Sequence, residues 1–283
     1  MLGSWRIGRP FGIDLSIHGT FWILPLLALI GGWMSHGILA AIVDAALILV
    51  VFGCVALHEI GHALAARWYG IRTRDITLYP IGGVARLDRI PERPWPEIVI
   101  ALAGPAVNVV IAAAIGLVLV ADGWLLGIWP TSGHPVNGFL YRVVVANLVL
   151  VGFNLIPAFP MDGGRVFRAA MSWFTDRVTA TNIAARVGAV FAVLFGILAI
   201  YLVQPIFFIL AIALYLMGRQ EAEAVRRAAQ ARRWTWGVDE IPTFGPYGMV
   251  RNPYQPNVWV YDADTGKWTE NNGSRTWQRF RIL

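Results

Sequence analysis

Six long apolar blocks constrain this chain more than any other feature. They run approximately over Thr20–His36, Ile38–Leu57, Ile98–Ala121, Val143–Ile156, Ile183–Val203 and Gln204–Met217. A helix needs ~20 predominantly apolar residues to cross the hydrocarbon core of a bilayer. The fourth and sixth blocks are short, which predicts tilt, extension by flanking residues or a partly re-entrant path. Only 14% of the residues are charged, against roughly a quarter in soluble globular chains. The expectation is a polytopic α-helical membrane protein with about six transmembrane helices, a small membrane-associated β element and a short tail. The same composition excludes disorder, a fibrous repeat and a disulfide scaffold. The single cysteine, Cys54, lies inside an apolar block and has no intrachain partner for a disulfide.

Arginine placement orients these blocks. Arg6 and Arg9 precede the first; Arg67, Arg72, Arg74, Arg86, Arg89 and Arg93 follow the second. Arg165, Arg168, Arg177 and Arg186 follow the fourth, and Arg219, Arg226, Arg227, Arg232 and Arg233 follow the sixth. The links at Ser35–Gly37, Asp122–Phe139 and Gln204–Pro205 carry no Lys or Arg. Such alternation predicts six spans of the cytoplasmic (inner) membrane with both termini in the cytoplasm. A cleaved signal peptide is not expected, because no small-residue cleavage site follows the first block and Trp33, Met34 and His36 suit a retained interfacial anchor. The net charge of +6 rests on basic residues that are nearly all arginine, Lys267 being the only lysine. No groove-reading or stacking motif accompanies it, so nucleic acid is not an expected partner.

Between the second and third blocks, Ile71–Ile90 is not membrane-like. Ile76, Leu78, Val84, Ala85 and Leu87 fall among polar residues, which predicts two short strands around a Pro-Ile-Gly-Gly turn. The expected division is a core over residues 1–218, a basic surface helix over 219–233 and a Trp- and Tyr-rich tail over 234–283. Within the tail, Val258–Tyr261 and Lys267–Thr269 flank a turn at Asp262–Gly266 and predict a hairpin. The tail is too short and turn-rich to hold much core of its own.

The chemistry concentrates in His58-Glu59-Ile60-Gly61-His62. At helical spacing the two imidazoles lie one turn apart on one face and can reach a single Zn²⁺. Glu59 is placed to take a proton from water. Three polar groups at the end of a span cost several kcal/mol unless something such as a metal satisfies them. Two histidines leave a tetrahedral site short of a third protein ligand. Asp44 lies fourteen residues earlier, about 21 Å along the helix, and cannot share the ion. Asp162 fits better: it follows the fourth block directly, where Pro157 and Pro160 break the helix, on the same side as His62. A break at membrane depth is tolerated only where the freed backbone is buried or lines a wet cavity. Gly163 and Gly164 let the backbone approach closely.

With these residues in place, the sequence resembles the site-2 protease family of intramembrane zinc metalloproteases. The resemblance rests on His58-Glu59-x-x-His62 and on Asn154-x-x-Pro157-x-x-Pro160-x-Asp162-Gly163. Gly104-Pro105-x-x-Asn108 and Gly82-Gly83-Val84-Ala85 add to it. It covers about residues 10–218 and implies that His58, His62 and Asp162 hold zinc and that Glu59 is the catalytic base. It also implies that Asn154 serves the active site and that Gly82–Ala85 receives an extended substrate segment. The implied activity is peptide hydrolysis within or next to transmembrane segments of other membrane proteins (regulated intramembrane proteolysis), with the lipid bilayer as the working environment. The tail is too short for the paired nucleotide-sensing domains of many bacterial members, and no PDZ-like insertion follows the third block.

Two rival readings come from other classes. One is a catalytically silent homologue that binds membrane proteins; the intact Glu59 counts against it. The other is a metal transporter, which would place ligands near the midplane on broken, repeated helices, and no repeat is visible. Asn108 and Asn147 read as helix–helix hydrogen bonds. His18, His36 and His134 are expected at interfaces, and Trp22, Trp33, Trp124 and Trp129 in an aromatic belt.

Overall fold

The computed structural model describes residues 3–80, 82–88, 91, 93–122, 135–239, 258–262 and 267–271. Two short strands open the chain, β1 (Ser4–Gly8) and β2 (Asp14–His18), followed by helix α1 (Ile23–His36) and the 31-residue α2 (Ile38–Trp68). Strands β3 (Thr73–Tyr79) and β4 (Gly82–Leu87) come next, then α3 (Pro94–Ala121) and α4 (Pro135–Asn154). The chain continues through the short α5 (Asp162–Met171), α6 (Arg177–Leu202), α7 (Pro205–Asp239) and the hairpin β5 (Val258–Asp262) and β6 (Lys267–Asn271).

Every apolar block becomes helix. Four of these helices are long and apolar enough to cross a membrane: α2, α3, residues Val136–Asn154 of α4, and α6. Of the two other blocks, one forms α1, which at 14 residues extends about 21 Å. The other forms the first part of α7. The outward surfaces are apolar: Leu117 is 70% exposed and Ile200 75%. Such surfaces suit lipid rather than water. Inside, small residues let backbones close in, as in membrane bundles generally. Gly32 of α1 faces Ala41 of α2 so closely that a Cβ there would sit 2.7 Å from the Ala41 Cα. On α6, Ala180, Ala184, Gly188 and Ala192 recur every fourth residue and are all buried. Asp44 meets Arg142 of α4 at 2.9 Å, so the one arginine at the head of the fourth block carries its own counter-charge.

The expected pair β3–β4 is present, antiparallel, with Leu78 opposite Gly83. Unforeseen from the residues alone, β2 joins β3 in parallel, making one sheet of order β1-β2-β3-β4 with β4 at an edge. Along β4 the residues alternate: Val84 and Arg86 are exposed, while Ala85 packs with Ile13 and Ile76 against Ile60 and Ala63 of α2. Leu15, Ile17 and Leu78 extend this contact to Phe52 and Ala56. The sheet is thereby seated on the half of α2 that carries the histidines.

Two further differences from expectation concern helices. The segment after Pro160, which the sequence left without an assigned element, is a helix, α5. In addition, no break separates the sixth block from the basic stretch after it; α7 runs through both for 35 residues. A lone Gly218 costs about 1 kcal/mol in a helix, and the Arg, Gln, Glu and Ala that follow are good helix formers. Two compact units are found, Met1–Ala222 and Glu223–Leu283. In the second, β5 and β6 pair antiparallel from Val258–Asn271 to Asp262–Lys267, the hairpin expected from the sequence.

Candidate metal centre

Three helices bring the site together. α2 presents His58 and His62 from one face, and the break between α4 and α5 delivers Asp162 at the first residue of α5. Their ligating atoms are mutual neighbours. His58 Nε2 lies 3.0 Å from His62 Nε2, and Asp162 Oδ2 lies 3.2 and 3.1 Å from the two. All three residues are buried.

The outer nitrogens of both rings are engaged by α3. Asn108 donates through Nδ2 to Asn147 of α4 at 2.7 Å, which leaves its Oδ1 free to accept; His58 Nδ1 donates to that oxygen at 2.6 Å. His62 Nδ1 donates to the Ile100 carbonyl, also at 2.6 Å. A neutral imidazole that gives its proton at Nδ1 keeps a lone pair at Nε2. Two nitrogen lone pairs and a carboxylate oxygen thus converge with no proton of their own to share. This arrangement calls for a cation. Ligands held 2.0–2.1 Å from a tetrahedral zinc stand about 3.3 Å apart, close to the spacing seen, and a His₂-carboxylate set suits that ion.

Space is left for it. A Cβ on Gly104 of α3 would come within 2.7 Å of His58 Nε2 and closer still to His62 Nε2, so the glycine keeps open the point where the three atoms converge. Gly163 and Gly164 do comparable work below it; a side chain on either would strike the backbone of Leu155–Phe159. Burial alone would raise the Asp162 carboxyl. When the rings take up a second proton at Nε2 in place of an ion, their hydrogen bonds to Asp162 and their positive charge, with that of Arg165, outweigh burial and hold the carboxyl well below its ordinary range.

Glu59, next to His58 on α2, lies under the sheet edge. A Cβ on Gly83 of β4 would fall 3.0 Å from Glu59 Oε1, so the edge strand passes directly over this carboxylate. Gly83 is therefore beside the site, with Gly82, Val84 and Ala85 its neighbours along β4. Asn154 is turned to its own helix, donating to the Leu150 carbonyl at 2.9 Å. Asn108 and Asn147 form the expected helix–helix bond, and that bond ends on His58. Asn147 also donates to the Val143 carbonyl and to Cys54 Sγ. His18 bonds Thr20 and stacks on Tyr79, and His36 lines a separate cleft with Asp44 and Arg142. Trp22 and Trp33 are exposed. His134, Trp124 and Trp129 lie outside the described residues.

Sequence reasoning missed the bracing of both rings by α3. The signal was present as a stripe: Ile100, Gly104 and Asn108 recur every fourth residue on one helix face. Ile100 meets His62 while Asn108 meets His58, so α3 runs antiparallel to α2.

Comparison with known proteins points to metallopeptidases. A family model described as Peptidase family M50 matches residues 46–127 and 128–195. A zinc metalloprotease of Methanocaldococcus jannaschii is 38% identical over 226 residues, covering 78% of this chain and 61% of that protein. Stage IV sporulation protein FB of Bacillus subtilis is 24% identical over 216 residues, covering 74% of this chain and 67% of that protein. Among solved structures, the site-2 protease from Methanocaldococcus jannaschii is similar, with a TM-score of 0.57 and 36% identity. That match covers 77% of this chain and 95% of the other. The chain thus spans about three fifths of the length of the archaeal metalloprotease.

Proposed function

Because this chain belongs to peptidase family M50, we propose that it is an intramembrane zinc endopeptidase of the site-2 protease type, cutting peptide bonds within or next to transmembrane segments of other membrane proteins. The observation that carries this reading is the set of three buried ligand atoms within 3.2 Å of one another, with Glu59 beside them.

His58, His62 and Asp162 hold the ion in this proposal. Bound there, zinc supplies Lewis acidity, polarising the scissile carbonyl and making water a stronger acid. The remaining steps belong to the chain. Glu59 takes a proton from the attacking water and returns it to the leaving amide nitrogen. Asp162 stays ionised, and the Nδ1 bonds to Asn108 and Ile100 keep both rings aimed. A substrate helix must first unwind. The free edge of β4 can pair with the opened segment by strand addition, and its position over Glu59 supports Gly82, Gly83, Val84 and Ala85 as the receiving residues. Asn154, at the end of α4, is assigned to the same substrate channel.

The arginine alternation supports six spans, an inner-membrane location and both termini in the cytoplasm. The working division remains a core over 1–218 with its basic extension and tail.

The test needs a membrane-spanning peptide library and zinc analysis. The wild-type chain binds about one zinc, which His58→Ala loses. Glu59→Gln keeps the zinc and loses cleavage. Full turnover by Glu59→Gln refutes its role as base. Zinc binding without cleavage of any membrane segment favours the silent binder.

A further inference from the structure

The largest fully buried side chain among the described residues is a charged one. Arg168 of α5 is 1% exposed and so is its main partner, Glu97 of α3. Arg168 donates from Nε to Glu97 Oε1 at 2.9 Å and from a second nitrogen to the same oxygen. Its third nitrogen reaches Glu221 of α7 at 2.6 Å, and its guanidinium lies 5.0 Å over the Phe159 ring. Arg177, at the start of α6, holds the other Glu97 oxygen at 3.2 Å. Two cations and two anions thus balance where four helices meet.

A buried ion pair is poor evidence of stabilisation, since desolvation offsets most of the attraction. Its placement is more informative. Glu97 stands three residues before Ile100, whose carbonyl receives the His62 ring. Arg168 stands six residues after Asp162 on the same ten-residue helix, about 9 Å along its axis. A helix this short does not hold itself in place. The side chain stacked beneath Arg168, Phe159, belongs to the break whose backbone packs against Gly164. One guanidinium therefore joins the element that carries the third ligand to the element that orients the second.

We infer that Arg168 is a positioning residue for the metal centre, fixing Asp162 relative to the two histidines through Glu97 and coupling that distance to α7 through Glu221. This rests on reading His58, His62 and Asp162 as ligands. A displacement of α7 at Glu221 is transmitted to Asp162 along α5, without any contact between α7 and the ion.

The test uses the full chain in detergent with cobalt in place of zinc, read by visible absorption and by chelator competition. The wild type gives the intense bands of a low-coordinate cobalt site, which tests the ligand assignment itself. Arg168→Gln binds cobalt about 10–100-fold more weakly, the usual loss when a group outside the ligand shell is removed, with altered band intensities. Glu221→Gln, at a partly exposed position, shifts both in the same direction by a smaller factor. Arg168→Lys, which keeps the charge but cannot fork between two carboxylates, falls between wild type and Arg168→Gln. Phe21→Leu, buried in the turn before α1 where it packs on Phe52 of α2, lowers the melting temperature and leaves cobalt affinity unmoved. Unchanged affinity and spectrum in both Arg168→Lys and Glu221→Gln overturn the inference, and the network is then structural only. Absence of cobalt from the wild type overturns the ligand assignment itself.

Discussion

Replacing Gly104 with alanine tests whether an ion belongs where the three ligand atoms converge. The added Cβ would stand 2.6 Å from His62 Cε1 and 2.7 Å from His58 Nε2, whereas ordinary contact begins at 3.4 Å. The His58 ring would have to withdraw by about 0.7 Å and the His62 ring, whose Nε2 lies nearer still, by more, and a zinc site tolerates errors of only ~0.2 Å. Withdrawal is opposed on the far side, since both Nδ1 atoms already make 2.6 Å bonds, to Asn108 and to a backbone carbonyl. The methyl group also fills the space the ion needs. Overpacking of this kind costs about 1–3 kcal/mol in its own right. In addition the variant forfeits the stabilisation that zinc confers, about 2.7 kcal/mol when free zinc stands 100-fold above its dissociation constant. The assay is metal content of the purified chain together with thermal unfolding, with and without zinc, beside His58→Ala, which removes a ligand without adding bulk. The wild type melts higher with zinc, and Gly104→Ala shows neither bound zinc nor a zinc-dependent rise. One zinc per Gly104→Ala chain at wild-type affinity would refute the reasoning, because the ion would then lie elsewhere.

Two further predictions follow from the same geometry. Asn108→Leu removes the acceptor that fixes the His58 ring, so zinc affinity falls about 10–100-fold by chelator competition; an unchanged affinity separates Asn108 from the site. The pH dependence of zinc retention is set by the imidazoles, which must be unprotonated to ligate, and not by Asp162. A carboxyl whose folded value is depressed makes its full contribution above the unfolded value near 3.9. It loses that contribution only as pH falls through the lower folded value, so Asp162 stays ionised between pH 7 and 5. Asp162→Asn therefore weakens zinc at every pH, so release begins at higher pH, but it leaves the steepness of the affinity's pH dependence between pH 7 and 5 unchanged; a shallower dependence would place a titrating group at residue 162.

The ligand set was legible because each half of it is local. His58 and His62 declare themselves by helical period, and the Pro157–Pro160 break announces an unusual backbone next to Asp162. The β3–β4 and β5–β6 hairpins are legible for the same reason, each being an alternating pattern closed by its own turn. What escaped was long-range. β1 and β2 are five residues each, and β2 finds its parallel partner about sixty residues later, with Leu15 opposite Ile76. Glu97 sits one residue before an apolar block, where an acid passes for an interfacial charge; its partner Arg168 is 71 residues away. Helix α5 opens on two glycines directly after a double-proline break, a sequence that does not announce a helix until Arg168, Glu97 and the packed break hold it.

These missed features share one cause, and it bears on how the site works. Two histidines on one helix can be aimed only from outside that helix, because their own backbone fixes the Cβ and not the ring. α3 supplies what is needed from successive turns of one face: a carboxylate at Glu97, a carbonyl at Ile100, open space at Gly104 and an amide oxygen at Asn108. None of these is a metal ligand, so no ligand motif would reveal them, and three of the four are ordinary in a membrane helix. Their meaning comes from register against α2. A slip of one residue between the helices would put Ala103 or Pro105 near where Gly104 stands and carry Asn108 away from His58. The close small-residue packing that sets this register, with Gly61 of α2 so near Ala103 that a Cβ would lie 2.9 Å from its carbonyl oxygen, is therefore part of the metal centre as much as part of the fold.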